Sequence, residues 1–406
     1  MRFGTTTAGA ELNWPTVVRR QHQIVEELQP RPASLEDMGA TVVLGEARFA
    51  DAHTVAVNGS ALWGERIIIA AGSTPIVPTL PGIDVAITSD EILFLPVFPR
   101  RLVIVGAGAI GLEMAGAFSD FGAGVTVIDQ EREILPAFDA DVAAYVRKIL
   151  EGRGVTFHLA ATLTSFSGTR GDITVRFTRD GEPHEVTADQ ACVAIGRRWS
   201  PETLGAEHLG LAMRHLGLEV TPYLRTSVTT IYAAGDAAGN VQLTLVAAHE
   251  GRLAAHNALE GDRLIFDERV VPQAVFTTPE VARVGLTHRE AEASGVKCHV
   301  ATQDLRGASN GRATGEDDGY LKLVFDATDE RLLGAQMVSY AGAELIQTAA
   351  LGILSGVTAS VLTTQLSVHP SHTERFIKIA GHDHHEVCEV PERREVEGRG
   401  NEARPA

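Results

Sequence analysis

Cysteine is scarce: the 406-residue chain carries 3. Cys192, Cys298 and Cys388 lie far apart and form neither a C-x-x-C pair nor an evenly spaced framework. A cysteine metal cage or a disulfide-stapled secreted scaffold is therefore not expected. Also missing is any run of about 20 apolar residues, the length a helix needs to cross a bilayer. The start, MRFGTTTAGAELNW, lacks the basic and apolar segments of a signal peptide, so the expected location is cytoplasmic. Positive charge is in deficit, with 35 Lys and Arg against 52 Asp and Glu for a formal charge of −17. Such a chain repels phosphate backbones and anionic lipid, so neither nucleic acid nor membrane is expected as a partner.

What is present describes a folded protein. Hydrophobic residues make up 44% and charged residues 21%, well outside the composition of a disordered chain. Glycine is plentiful, 40 of 406 residues, against a usual share of about 7%. Tight turns or phosphate-approaching loops use such glycines. At about 150 residues per domain the length predicts two or three domains.

Strand-like and helix-like segments alternate, the pattern of an α/β protein. Arg66–Gly72 reads as a buried strand, and Ser89–Glu91 as a helix start. A new unit opens at Arg101 with strand Leu102–Val105, a glycine turn, a helix to about Phe121 and strand Val125–Asp129. Short β segments such as Ile173–Phe177 then lead to Ala191–Ile195. Thr230–Ala234 is a further strand, ending at Gly235-Asp236. Beyond Val270 the pattern becomes α+β, with strands near Ala274–Phe276, Tyr320–Phe325 and Leu332–Tyr340 and a helix near Glu344–Ser355. Residues 383–406 are charged and aperiodic and read as a flexible tail.

The most specific motif is Val103-Ile-Val-Gly106-Ala-Gly108-Ala-Ile-Gly111. Three glycines at G-x-G-x-x-G spacing follow an apolar strand and open a helix. Gly106 is expected to make the tight turn, Gly108 to let backbone approach a pyrophosphate, and Gly111 to let helix and strand pack closely. The helix N-terminus then presents unpaired N–H groups to the phosphates. A second strand ends in Asp129, whose carboxylate can accept hydrogen bonds from an adenosine ribose and would repel a 2′-phosphate. NAD is favoured over NADP on this basis, although Arg132 lies close by.

Further motifs surround this one in order: Ile69-Ala-Ala-Gly72-Ser-Thr-Pro75, Ala194-Ile-Gly196-Arg197, Ile231-Tyr-Ala-Ala-Gly235-Asp236, and Phe276-Thr-Thr-Pro279-Glu280 through Thr287. Together they resemble the pyridine nucleotide–disulfide oxidoreductases, from about residue 60 to 380. The resemblance implies two Rossmann-like domains, the first incomplete, plus an α+β C-terminal dimerisation domain. Residues 1–99 and 200–268 would form an N-terminally truncated FAD-binding domain. Residues 100–199 would bind NAD(P), and 269–382 would build a homodimer. It also implies FAD and NAD as cofactors, with Asp236 on the flavin ribityl chain and Thr244 and Ala247 in a helix directed at the ring. Leu245 stands where the family usually has proline. Glu113 matches a glutamate beside nicotinamide and flavin.

Val368-His369-Pro370-Ser-His372-Thr-Glu374 resembles the family's His–Glu dyad, in which Glu374 would orient the His369 imidazole for proton exchange with a redox thiol. This pattern leans towards the lipoamide and glutathione branches; together with the NAD preference it most resembles dihydrolipoamide dehydrogenase, which implies a small-molecule or lipoyl-type disulfide as substrate. His372, His382, His384 and His385 allow a weak metal site on paper, but a solvated histidine-rich tail is the simpler reading and no metal is expected.

Two family features have no counterpart in these residues: a Cys-x4-Cys pair and a first G-x-G-x-x-G ahead of it. Cys192, on an apolar strand, reads as a buried structural thiol. Three explanations stand side by side: a sequence truncated at its start, a short protein keeping NADH binding and diaphorase-like electron transfer, or a catalytically silent NADH-binding homologue.

Overall fold

The computed structural model describes residues 9, 11–29, 31–381 and 386–387. Tight internal packing divides these residues into two units, one of those up to 271 together with 275–278, the other of 272–274 together with those from 279 on. The fold class is mixed α/β, as the alternation of elements predicts.

The centre of the first unit is a five-stranded parallel sheet in the order Ile87–Thr88, Gln190–Val193, Arg101–Val105, Gly124–Ile128, Thr156–His158. Arg101–Val105 is buried at every position after the first, the continuous apolar run that a strand covered on both faces requires. An antiparallel meander of Ala161–Thr169, Asp172–Arg179 and Glu182–Ala188 covers one side. Its Phe166, Ile173, Val175 and Phe177 share a core with Val103, Val105 and Ile128. The alternating burial of Asp172–Arg179 is the period-two signature of a strand wet on its other face. Helix Ala109–Asp120 follows the first glycine turn, and helix Ala140–Gly152 buries Val142, Ala143, Val146 and Leu150.

The rest of this unit is built around two short parallel strands, Ile67–Ile69 and Ile231–Ala233. Residues 164 positions apart in the chain thus sit side by side, packed with Phe49, Trp199 and Leu218. A hairpin meander, Ala47–Asp51, Thr54–Val57 and Ser60–Trp63, adjoins them in sequence. Residues before Pro30, weakly patterned on paper, form the helix Trp14–Leu28, capped by Asn13 through its side chain and started with Pro15. Its anchor is Trp14, whose indole N–H donates to Leu95 O at 2.7 Å among Phe98, Phe118 and Phe121.

The second unit is a largely antiparallel sheet ordered Gln273–Val275, Glu280–Gly285, Leu332–Ser339, Tyr320–Asp326, Cys298–Asp304, Glu386–Val387. Helix Gly342–Leu354 packs on it. Gly334 is required there: a Cβ would lie 1.8 Å from Leu286 O. Cys298 is buried and disulfide-bonded, which the wide spacing of the cysteines did not signal. Cys388 and the histidines His382, His384 and His385 lie outside the described residues.

Candidate functional site

Strand Arg101–Val105 delivers the chain to Gly106, where φ is +115°. A side chain is strained in that region, and a Cβ would also stand 2.3 Å from Ala194 O. Gly111 is needed for a different reason: its Cβ would fall 2.0 Å from Gly106 O. Gly108 differs from both, with nothing within 4 Å of a built Cβ. It caps helix Ala109–Asp120 without a side chain, so the open space lies at the unpaired N–H groups of the helix start. Gly106 and Gly111 are thus held to glycine by close backbone, while Gly108 leaves the helix start open.

Gly106 and Gly108 border a cleft of about 700 Å³ that also gathers Asp129, Glu131, Gly196, Arg197 and Asp236. Asp129 sits one residue beyond strand Gly124–Ile128. Its two oxygens accept from Ala107 N at 2.5 Å and Glu131 N at 2.8 Å, tying the end of the second strand to the glycine turn. Gln130 and Glu131 line the cleft, and Arg132 does not.

At the same cleft, the Gly235-Asp236 turn follows strand Ile231–Ala233. Gly235 has φ +66° and starts a short 3-10 turn, Gly235–Ala238. Asp236 Oδ2 accepts from the Ser73 hydroxyl at 2.6 Å. Ser73 in turn accepts from Arg197 Nε at 3.0 Å, while Arg197 Nη2 donates to Ser73 O at 2.8 Å and Nη1 pairs with Asp90. One relay thus joins three motifs far apart in sequence. Gly72, left-handed at φ +68°, turns the chain to place Ser73 there.

Behind the turn stands helix Thr244–Glu260. Ala247 meets Gly235 so closely that a Cβ on the glycine would lie 3.0 Å from the alanine methyl. One helical turn on, Glu250 is wholly buried and accepts from Gly235 N at 2.7 Å and Asn240 Nδ2 at 2.9 Å. Burial pushes the Glu250 carboxyl above its ordinary range, against those two N–H donors, and Glu268 and Asp236 add repulsion. Thr244 is exposed at the first helical position, and neither it nor Ala247 lines the cleft. Nor does Glu113, which lies on helix Ala109–Asp120 and accepts from Phe276 N at 3.0 Å. Burial raises the Glu113 pKa, opposed by that N–H.

In the second unit His369 Nδ1 lies 2.7 Å from Glu374 Oε2, and Lys378 pairs with the other carboxylate oxygen. Lys378 and His369 together hold the Glu374 carboxyl down to about 2. The helix Thr373–Ala380 buries Glu374, while the His369 imidazole ahead of it is largely exposed.

Two family models match, the first described as pyridine nucleotide-disulphide oxidoreductase over residues 6–251, the second as its dimerisation domain over residues 271–380. The chain belongs to this family. Among its relatives, a dihydrolipoyl dehydrogenase of Haloferax volcanii is 35% identical, covering 84% of this chain and 74% of that protein. A mercuric reductase of Bacillus cereus is 30% identical over 91% of this chain; the chain spans 60% of that relative's length. A solved structure, the HOCl-induced flavoprotein disulfide reductase RclA from Escherichia coli in its Cu(II) complex, superposes with a TM-score of 0.80 at 30% identity. It covers 89% of this chain and 84% of that one.

Ser73, Asp90, Asn240 and Glu250 escaped the motif reading as site residues. Ser73 was within reach, since it directly follows Gly72. Glu250 carried no such signal, being one of two glutamates on the helix Thr244–Glu260. Among the described residues, no group of three or more His, Cys, Asp or Glu could hold a metal.

Proposed function

We propose that the protein is an FAD- and NADH-dependent oxidoreductase that moves a hydride between nicotinamide and a dithiol or disulfide of lipoyl type. The observation that carries this reading is the single cleft shared by the Gly106–Gly111 fingerprint and the Asp236 turn. The residues present fit a dinucleotide at the fingerprint, because the space beside Gly108 is open and the helix N–H groups border it. They fit the ribityl end of a flavin at Asp236, which lines the cleft. FAD, when bound, supplies the relay that accepts hydride from one partner and passes electrons to the other.

The chain's own residues have separable tasks. Asp129 and Glu131 bring negative charge to the cleft and would repel a 2′-phosphate there, which supports NAD over NADP. Ser73 and Arg197 fix the Asp236 carboxylate. His369, oriented by Glu374, exchanges protons with sulfur substrates at the exposed face of its ring. The matched dimerisation domain supports a homodimer, and the dihydrolipoyl dehydrogenase relative supports the substrate class.

A second reading, NADH-to-acceptor electron transfer without disulfide chemistry, is favoured by the thiols. Cys192 is buried and free, its thiol pushed up to about 12 by burial and Glu91, which leaves it unsuited to thiol exchange. One experiment decides between them. Purified protein is incubated with FAD, and flavin absorbance is followed with NADH, NADPH, lipoamide and ferricyanide. Bleaching by NADH at least about tenfold faster than by NADPH supports the nucleotide assignment. Reduction of lipoamide supports the first reading, and turnover with ferricyanide alone the second. A protein that stays colourless after incubation refutes both.

A further inference from the structure

Glu250 has no task in the chemistry above, yet its position is costly. Its side chain is 0% exposed, and no Lys, Arg or His pairs with it among the described residues. A carboxylate so placed is tolerated only when its oxygens are well bonded. Both bonds go to one short segment: Gly235 N at 2.7 Å and Asn240 Nδ2 at 2.9 Å. Those are the first and last residues of the stretch that carries Asp236. Three residues earlier on the helix, Ala247 packs against Gly235, so one helix face holds the turn by contact and by hydrogen bond. On its other side Asp236 is held by the Ser73 hydroxyl.

We propose that Glu250 is the positioning residue of the flavin turn, clamping the Gly235–Asn240 segment by both ends so that Asp236 keeps a fixed aim into the cleft. The inference rests on the flavin reading of Asp236 above. A carboxylate suits the task because both partners donate. Alanine would leave the Gly235 N–H buried without an acceptor. Glutamine keeps one acceptor for Gly235, and its amide N–H can meet the Asn240 oxygen after that amide flips, at the expense of the 3.4 Å Arg214 contact.

The test compares the wild-type chain with Glu250→Ala, Glu250→Gln and Asn240→Ala. FAD affinity is read by quenching of flavin fluorescence and NADH affinity by calorimetry. Amide exchange over residues 235–240 is followed without FAD, together with thermal melting. Glu250→Ala should raise the FAD Kd about tenfold or more, the scale of one charge-assisted hydrogen bond. Exchange at Gly235 should quicken while NADH affinity stays within about twofold. Glu250→Gln should recover most of the FAD affinity. Asn240→Ala removes only a half-buried partner and should weaken FAD a few-fold, a readout that survives if Glu250→Ala does not fold. Equal losses of FAD and NADH affinity, unrescued by glutamine, would reduce Glu250 to a fold residue and overturn the proposal. So would an unchanged FAD Kd in both alanine substitutions, Glu250→Ala and Asn240→Ala, when the wild type binds FAD. A wild-type chain that takes up no FAD overturns the flavin reading itself, and this inference with it.

Discussion

Gly108 and Gly111 stand three residues apart in one motif, yet substitution should harm them in opposite ways. At Gly108 the backbone is extended, φ −77° and ψ −171°, which valine tolerates, and a Cβ meets nothing within 4 Å. Gly108→Val loses a few tenths of a kcal/mol or somewhat more at the helix N-cap. It regains about 0.4–1 kcal/mol by restricting the unfolded chain. At about 2–4 °C per kcal/mol for a unit of this size, the melting temperature should stay within about 2 °C. NADH binding should suffer, because the side chain fills the space a pyrophosphate needs to reach the N–H groups. One lost hydrogen bond to a charged group is worth about 1.5–3 kcal/mol, or about 10- to 150-fold in Kd. Gly111→Ala reverses the pattern. Its methyl would lie 2.0 Å from Gly106 O, an overlap that forces the helix off the strand and costs about 1–3 kcal/mol. Calorimetric titration with NADH, paired with thermal melting of each variant, reads both quantities. Unchanged NADH affinity in Gly108→Val, or equal melting losses in the two variants, would refute the division of labour.

Ser73→Ala removes the hydroxyl that joins Asp236 to Arg197 and should cost about 1–2 kcal/mol of stability; FAD titration should show a weaker complex, and unchanged affinity would separate this relay from flavin binding. The Glu374 carboxyl is depressed from 4.5 to about 2, so its contribution to stability is present above pH 4.5 and lost as pH falls towards 2. Melting curves of wild type and Glu374→Gln should accordingly converge over that window, and parallel curves would contradict the ion pair. Glu113 has the opposite sign: its raised pKa means that ionisation destabilises as pH rises above the ordinary value, so Glu113→Gln should gain stability relative to wild type on going from acid to neutral pH. Cys192, fully buried with its thiol at about 12, should resist thiol reagents in the folded protein and react on unfolding; rapid native labelling would count against its burial.

Local chemistry made much of the fold readable. The strand, glycine turn, helix and second strand around Gly106 follow from apolar runs and glycine spacing within 30 residues, and the structure differs from the expectation only at element ends. Small discrepancies have local causes: Thr88, not Ser89, caps the short helix Ser89–Ile92, because Glu91 completes a reciprocal bond with it. Helix Trp14–Leu28 had its start signals, Asn13 and Pro15, but its apolar face is thin and packs mainly through Trp14. The clamps of the site were not readable. Ser73 to Asp236 spans 163 positions and Arg197 to Ser73 spans 124, and no periodicity reports such a pairing. Glu250 looks like any helical glutamate until its helix is docked on Gly235.

The sheet order has a consequence for how the molecule can be rebuilt. Ile87–Thr88 enters the five-stranded sheet beside Cys192 and Val193, where the chain leaves it. Just outside, Thr74 and Pro75 pair antiparallel with Arg198 and Arg197, so the two connections run together at a spacing of about 5 Å. The nucleotide half is thus a cassette hung on a paired stalk. Cutting both stalk strands and rejoining them with a short loop would delete it without moving the ends apart. The Ile67–Ile69 and Ile231–Ala233 pair would still close on itself. Conversely, a related cassette with matching stalk ends could be grafted in its place, which makes the Gly106 fingerprint and Asp129 an exchangeable part of this architecture.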